Sequence, residues 1–447
     1  MNLIAARNLQ ALSLGFHIIL VCFGVAFPVF VLTMEGLYLR TRDDLYRRIA
    51  RRWTKAMAIL FAVGVVSGTI LSFELGILWP NFMGTYGDVF GFAFALEGTS
   101  FFVEAIFVAI YIYGWDRLKE RTHFLTGLPI PIAGLFGSLF VISVNGWMNN
   151  PAGFDEANGV VSNIRPLEAL FNGFFWHELV HMFLAAFMVA GFMTASVYAV
   201  AMFRGRRDRF ARVAMIVPLT IACLVAPVQL IVGDWAARTV TNDQPVKLAA
   251  IEGLGTTEAN APWHLFGWYS DGEVHGGIAI PDMLSILAYH DPNATVQGLD
   301  SVPASEQPQA INLIRFAFQA MILIGSGLAL LAILHLWVWW RRRRIIKGRW
   351  FLLAVGAAGP AAIVALESGW ITTEVGRQPW IVYGRMLTTD AVTNATGIPV
   401  VWALLGLVYL GLLFGAIWAL RRLAKSPPEP DVPTPLIGRA SIPRGTP

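Results

Sequence analysis

Nine apolar runs, each long enough to cross a bilayer, leave this chain few folds to adopt. They fall at about 12–32, 53–78, 90–113, 124–146, 176–201, 213–233, 311–340, 351–371 and 399–420. A spanning helix needs roughly 20 mostly apolar residues. Hydrocarbon offers no water to a bare peptide group, so runs of this length are expected to be helical. The expected fold is an all-α integral membrane protein of about nine transmembrane helices. Composition agrees: 56% of the 447 residues are hydrophobic and 14% charged, where a soluble domain carries about a quarter charged residues. The first run follows a polar start without a basic cluster, and no small-residue cleavage site closes it. It therefore reads as a span and not as a removable signal.

The connections between runs orient the bundle. Arg40, Arg42, Arg47, Arg48, Arg51, Arg52 and Lys55 follow the first run. Arg117, Lys119 and Arg121 follow the third, and Arg204, Arg206, Arg207, Arg209 and Arg212 the fifth. Arg341, Arg342, Arg343, Arg344, Lys347 and Arg349 follow the seventh, and Arg421, Arg422 and Lys425 the ninth. The intervening connections are poor in Lys and Arg, which puts the N-terminus outside and the C-terminus in the cytoplasm. The net charge of +4 is thus laid out by membrane sidedness and does not point to nucleic acid. Four segments follow: spans one to six in 1–233, an outer loop at about 234–310, spans seven to nine in 311–425, and a Pro-rich tail at 426–447 expected to be disordered. A long loop in a compact protein is usually functional. Cys22 and Cys223 lie in apolar runs and read as packing residues.

Ionisable side chains inside a membrane are costly, and each marks a candidate functional site. His17 lies in the first span, Glu74 in the second, and Glu97 and Glu104 in the third. His177, Glu178 and His181 open the fifth, His335 closes the seventh, and Glu367 lies in the eighth. Glu97 and Glu104 are seven apart, which places both carboxylates on one helix face about two turns apart. Met321 offers a thioether early in the seventh span. By the topology above, His17, Glu97, His181, Met321 and Glu367 share the outer half of the membrane. A common depth on five helices points to a buried cofactor.

Two cofactors fit residues of these types. His177 to His181 matches HExxH, in which two His bind zinc and the Glu is the general base of a metalloprotease. A catalytic zinc needs a third ligand, and no downstream acidic or His motif of the usual protease type supplies it. Haem takes His and Met as an axial pair in low-spin electron-transfer centres. An oxygen-reducing haem keeps one position open and so is held by one strong ligand. The inventory fits one His/Met centre and two singly ligated ones.

Ordered segments then carry a resemblance. They are ARNLQALSLGFH with Arg7 and His17, GDVFGFAFALEG, FFVEAIF, GWDRL, NGWMNNP, HMFLAAF, VKLAAIE, FAFQAM, ESGW and GRQPW. Together they resemble subunit I of the cytochrome bd-type quinol oxidases over essentially the whole chain up to the tail. The resemblance implies that His181 and Met321 are the axial pair of haem b558. It implies that His17, Glu97 and Glu367 serve haem b595 and haem d, in an order left open, and that Lys247 and Glu252 contact quinol on the outer loop. Glu104 would pass cytoplasmic protons toward the oxygen site, and Arg377 and Trp380 would anchor haem propionates or shape the outer surface.

On this reading quinol is oxidised at the outer face and oxygen is reduced to water, with electrons running from b558 to b595 to d. The setting is a bacterial cytoplasmic (inner) membrane, with a second membrane subunit and a small accessory subunit as partners. Two departures stand out. Gln319 occupies the position, two before Met321, where the family usually has Arg; loss of a cation there would lower the haem potential. The outer loop is short, like the branch that includes cyanide-insensitive oxidases. His177 and Glu178 match no family role, and His177 is expected to support a ligand or lie at the surface. The alternatives are a membrane haem protein without oxygen reduction and the zinc protease.

Overall fold

Several of the long helices start where the sequence offers a cap or a proline. Asp43 accepts a hydrogen bond from the Leu45 N–H, and Asp208 accepts one from Ala211 at 2.7 Å, each satisfying an orphan donor of a helix first turn. Pro80, Pro129 and Pro399 stand in the first turns of three others, where no N–H partner is lost. The computed structural model describes residues 2–342 and 348–426. Arg343, Arg344 and Lys347 of the basic connection, and 427–447 of the expected tail, lie outside the described residues.

Among the described residues, nine helices are long and apolar enough to cross a membrane. They are α1 (Asn2–Thr41), α2 (Asp44–Leu78), α3 (Pro80–Gly114), α4 (Glu120–Asn149, interrupted at Leu128), α5 (Phe175–Phe203), α6 (Arg209–Asp243), α7 (Ile311–Arg342), α8 (Arg349–Gly376) and α9 (Ile398–Lys425). The chain is thus a multi-pass integral membrane protein. Most of the helices overrun the apolar windows at both ends. In particular, α6 continues to Asp243, so the outer connection begins later than residue 234.

Two groupings organise the bundle. Helices α5, α6, α7 and α8 pack in sequence and close a ring, while α1 joins that ring through α5 and gathers α2, α4 and α9 around itself. Helix α3 packs on α2 and α4. The seams are lined by small residues, which let backbones approach where no hydrophobic effect drives helices together. A Cβ at Gly191 would lie 2.8 Å from the Ala222 Cβ and the Pro218 carbonyl across the α5–α6 seam. Gly191→Val is therefore expected to cost about 1–3 kcal/mol by overpacking, read as a lower unfolding temperature of the purified protein in detergent. An unchanged temperature would mean the seam yields.

The connections sort to two ends. At one end Arg209 pairs with Asp43 at 2.5 Å, Arg42 with Glu120, Arg51 with Asp116, and Arg52 donates to the Ala424 carbonyl at 3.0 Å. Four basic segments of the alternating pattern thus meet on one side. At the other end Asn2 donates to the Ala395 carbonyl, the Thr393 N–H to Leu78, the Tyr383 N–H to Met148, and Gln244 to Asn149. The connection after α6 lies at this second end. It holds a short helix, Pro245–Glu252, then three antiparallel strand pairs, among them 263–265 with 278–280, and a second short helix, Met283–Tyr289. The Pro245–Glu252 helix rests on α6, α7 and α8 and roofs the ring.

Candidate functional site

His181 on α5 and Met321 on α7 both stand on helices of the ring. His181 projects from α5 toward α6, where a Cβ at Gly233 would stand 3.6 Å from its Cε1. Gln229, one turn earlier on α6, donates to the His181 carbonyl at 3.1 Å. The imidazole Nδ1 is buried and has no partner. Met321 on α7 sets its sulfur against α8, 3.0 Å from where a Cβ at Gly369 would be. A bare buried imidazole nitrogen and a thioether, each cradled by a glycine of the neighbouring helix, fit a haem iron. They do not fit zinc shared with His177. His177 is buried against Phe174 and Trp235, and no group of three His, Cys, Asp or Glu among the described residues could hold a metal ion. The expectation of His177 at the surface fails on its 3% exposure.

A second set lies around α1. His17 bonds through Nδ1 to the Ser67 hydroxyl at 2.9 Å, and a Cβ at Gly68 would meet its ring at 2.8 Å. Glu367 reaches from α8 to Gly15 of α1, and its other oxygen, Oε1, is buried without a partner. Glu104 points from α3 between Gly24 of α1 and Gly134 of α4. Glu97 lies two turns further toward the loop end on α3. Glu74 is held by the Ser13 hydroxyl at 2.6 Å. An imidazole and a carboxylate with a bare buried oxygen, brought to α1 from α1 and α8, are donors that fit further haem iron.

The third set is the roof, and here the structure separates two residues that the sequence pairs. Lys247 and Glu252 stand five apart on a helix of eight residues, which turns them to different faces. Lys247 is 4% exposed, donates to Asn149 Oδ1 at 3.2 Å, and lies against Gly376 of α8. Burial lowers its ammonium from the usual range, with Glu178 opposing that shift and Arg377 adding to it. Arg377 donates to Glu374 at 2.6 Å, as does Asn145, while its Nε and Nη1 are buried and unpartnered. A cavity of about 120 Å³ opens beside Lys247, Arg377, Trp380, Glu306 and Tyr383. Arg7 donates to Gln378 at 2.7 Å on the same wall.

Glu252 faces the other way, toward Arg315 of α7 and the Trp263 indole. Burial raises its carboxyl to about 7, with Arg315 and Trp263 pulling it down. Glu374, passed over in the sequence, and Glu178, read there as part of HExxH, belong to the Lys247 face. Their signals were present: Glu374 follows Glu367 by seven, and Glu178 stands at the opening of a span. Arg315 was missed as well, although a lone Arg near the start of an apolar run is the kind of residue that calls for explanation.

The residue 5–428 segment matches the model of the family described as cytochrome bd terminal oxidase subunit I. The chain belongs to the cytochrome bd oxidase subunit I family. It is 35% identical to the putative cytochrome bd menaquinol oxidase subunit I of Bacillus subtilis (strain 168), covering 97% of this chain and 99% of that one. It is 30% identical to the cytochrome bd ubiquinol oxidase subunit 1 of the same organism, covering 93% and 92%. The bd oxidase of Geobacillus thermodenitrificans superposes with a TM-score of 0.87 at 35% identity, over 95% of this chain and 98% of that one. As a bd oxidase subunit I the protein is a haem-binding oxidoreductase of respiratory quinol oxidation. It works with subunit II, on quinol and oxygen. That excludes the zinc protease.

Proposed function

We propose that this subunit oxidises quinol at the roof of the ring and delivers the electrons inward for the reduction of oxygen to water. The observation that carries the reading is the seating of the Pro245–Glu252 helix on the same four-helix ring whose helices carry His181 and Met321. Its roof is the extracytoplasmic side of a bacterial cytoplasmic membrane, with the N-terminus outside and the C-terminus in the cytoplasm, because the basic connections gather at the opposite end. Residues 1–243, the outer connection to 310 and residues 311–425 then act as three functional segments.

His181 and Met321 would hold haem b558, and His17, Glu97 and Glu367 the b595 and d pair. Haem, when bound, supplies one-electron transfer and the iron at which oxygen reacts. Each quinol gives up two protons, and the roof helix carries one titratable side chain on each face. Glu252, with a carboxyl near neutrality, takes a hydroxyl proton, and Lys247 holds a polar oxygen on the cavity side with Arg377 and Trp380 shaping the wall. Glu104 lies between α1, α3 and α4 and passes protons from the cytoplasmic end. A small accessory subunit completes the assembly.

The test is a reduced-minus-oxidised spectrum with pyridine-haem analysis of the purified complex. A low-spin b signal with a chlorin band toward the red supports the reading, and protein with zinc and no haem overturns it. The same spectra locate the α8 ligand. Glu367→Gln is expected to disturb the high-spin signals, whereas a disturbance in Glu374→Gln alone would move that ligand two turns outward. Glu104→Gln is expected to lower turnover by about 10²-fold or more, the scale of a lost proton-transfer group, with unchanged haem spectra. Full turnover would remove Glu104 from the proton route.

A further inference from the structure

The vacancy at Gln319, where the family usually has Arg, does not leave the roof without a cation. Gln319 accepts from the Phe266 N–H at 2.8 Å and donates to the His264 carbonyl at 3.0 Å, so it pins the outer connection. One turn earlier on α7, Arg315 is fully buried at 0% exposure. Its two terminal nitrogens donate to the Phe266 and Gly267 carbonyls at 3.1 and 3.3 Å. Its Nε has no partner, and neither has the Oε2 of Glu252, itself 6% exposed. The two charges act on each other yet form no direct ion pair among the described residues. A buried cation and a buried acid with free polar atoms are costly to leave unmatched.

Gly253 makes their approach possible. It ends the roof helix at φ +69°, and a Cβ there would lie 2.7 Å from Arg315 Cδ and Nε. Any other residue would both strain the backbone and push the guanidinium away.

We propose that Arg315 is the cationic half of the quinol-oxidising site, holding the substrate oxygen from which Glu252 removes the proton. The proposal rests on the reading of Glu252 as the proton acceptor. In the step, a quinol O–H bond breaks and its proton bonds to a Glu252 carboxylate oxygen. The anionic oxygen left behind is held by the Arg315 Nε–H, a charge-assisted hydrogen bond to charge that develops during the reaction. The second hydroxyl proton leaves to the outer aqueous face. The two electrons leave one at a time for the oxidase's established acceptor, oxygen, and quinone remains. Arg315 also favours the ionised, proton-accepting form of Glu252. The other charged groups nearby are engaged elsewhere. Lys247, Glu374 and Arg377 act on the far face of the helix, and Asp300 is bonded to Thr257. Burial, and after it the nearby Arg315, disfavours protonation of His264 on the adjoining strand.

The test uses the intact two-subunit oxidase and two readouts: the pH profile of kcat/KM for quinol, and equilibrium binding of an alkyl-hydroxyquinoline N-oxide, an anionic quinol analogue. Arg315→Gln is expected to weaken analogue binding about tenfold or more and to move the rising limb of the profile to higher pH. Arg315→Lys, which keeps the charge, is expected to restore the limb and part of the binding. Gln319→Ala loosens the same connection without altering charge and is expected to move neither readout. If Arg315→Gln and Gln319→Ala behave alike, with no limb shift, Arg315 is only a pin for the connection and the proposal is overturned. The underlying reading fails separately. Undiminished turnover in Glu252→Gln overturns the role of Glu252. In that case loss of analogue binding in Arg315→Gln still supports the oxygen-holding role, and retained binding overturns it.

Discussion

Replacement of His181 by Ala is expected to abolish the low-spin haem signal and lower quinol oxidation by about 10²-fold or more, since even groups that merely support a metal ligand matter by 10–100-fold. Replacement of His177, one turn away, is expected to leave that signal intact. The two imidazoles face the same neighbouring helix but in different surroundings. His181 keeps a bare buried nitrogen beside Gly233, whereas His177 is packed between the rings of Phe174 and Trp235. Met321→Leu keeps the volume and removes the sulfur, so it is expected to convert the same centre to high spin. Reduced-minus-oxidised spectra of the three variants decide the matter. Loss of the low-spin signal in His177→Ala with retention in His181→Ala would show that the other histidine is the ligand.

The second large effect concerns the roof. Glu252→Gln is expected to lower kcat/KM for quinol by about 10²–10⁴-fold, the range of a lost general base, with haem content unchanged. Because burial raises this carboxyl to about 7, the wild-type rate is expected to rise with pH as the group ionises through neutrality. The Gln variant is expected to lose that limb. Lys247→Met should act differently, weakening quinol binding while the limb remains, because Lys247 lies on the opposite face of the helix and bonds to Asn149. Steady-state kinetics across pH separate the two. An identical response of both variants would argue for one shared contact and against two faces.

Much of the fold was legible because the membrane makes errors expensive. Charged connections cannot lie in hydrocarbon, so Arg40 to Lys55, Arg117 to Arg121 and Arg204 to Arg212 had to alternate with apolar runs, and the structure gathers them at one end. Helix ends were less legible. Hydropathy registers the part of a helix that meets lipid, whereas Arg209–Asp243 continues beyond it into a polar segment. Among the candidate site residues, His17, Glu97, His181, Met321 and Glu367 were visible because each is a costly side chain in an apolar run. Glu178 was visible too, but it was read through the HExxH pattern. Its surroundings of Asn149, Lys247 and Arg377 come from helices far apart in sequence.

The sequence by itself determined the class, the number of spans, their alternation and the titratable residues within them. Those properties follow from local transfer free energies summed along the chain. Only the tertiary structure decided which of these groups meet. The opposed faces of Lys247 and Glu252 depend on a short helix docked on three others. The approach of Arg315 to the end of the roof helix that carries Glu252 depends on Gly253, which leaves room for its side chain. Gln319 and Arg315, one turn apart on α7, meet at Phe266 of the outer connection. Such contacts depend on side-chain direction and helix packing, which the identity of neighbouring residues along the chain does not encode.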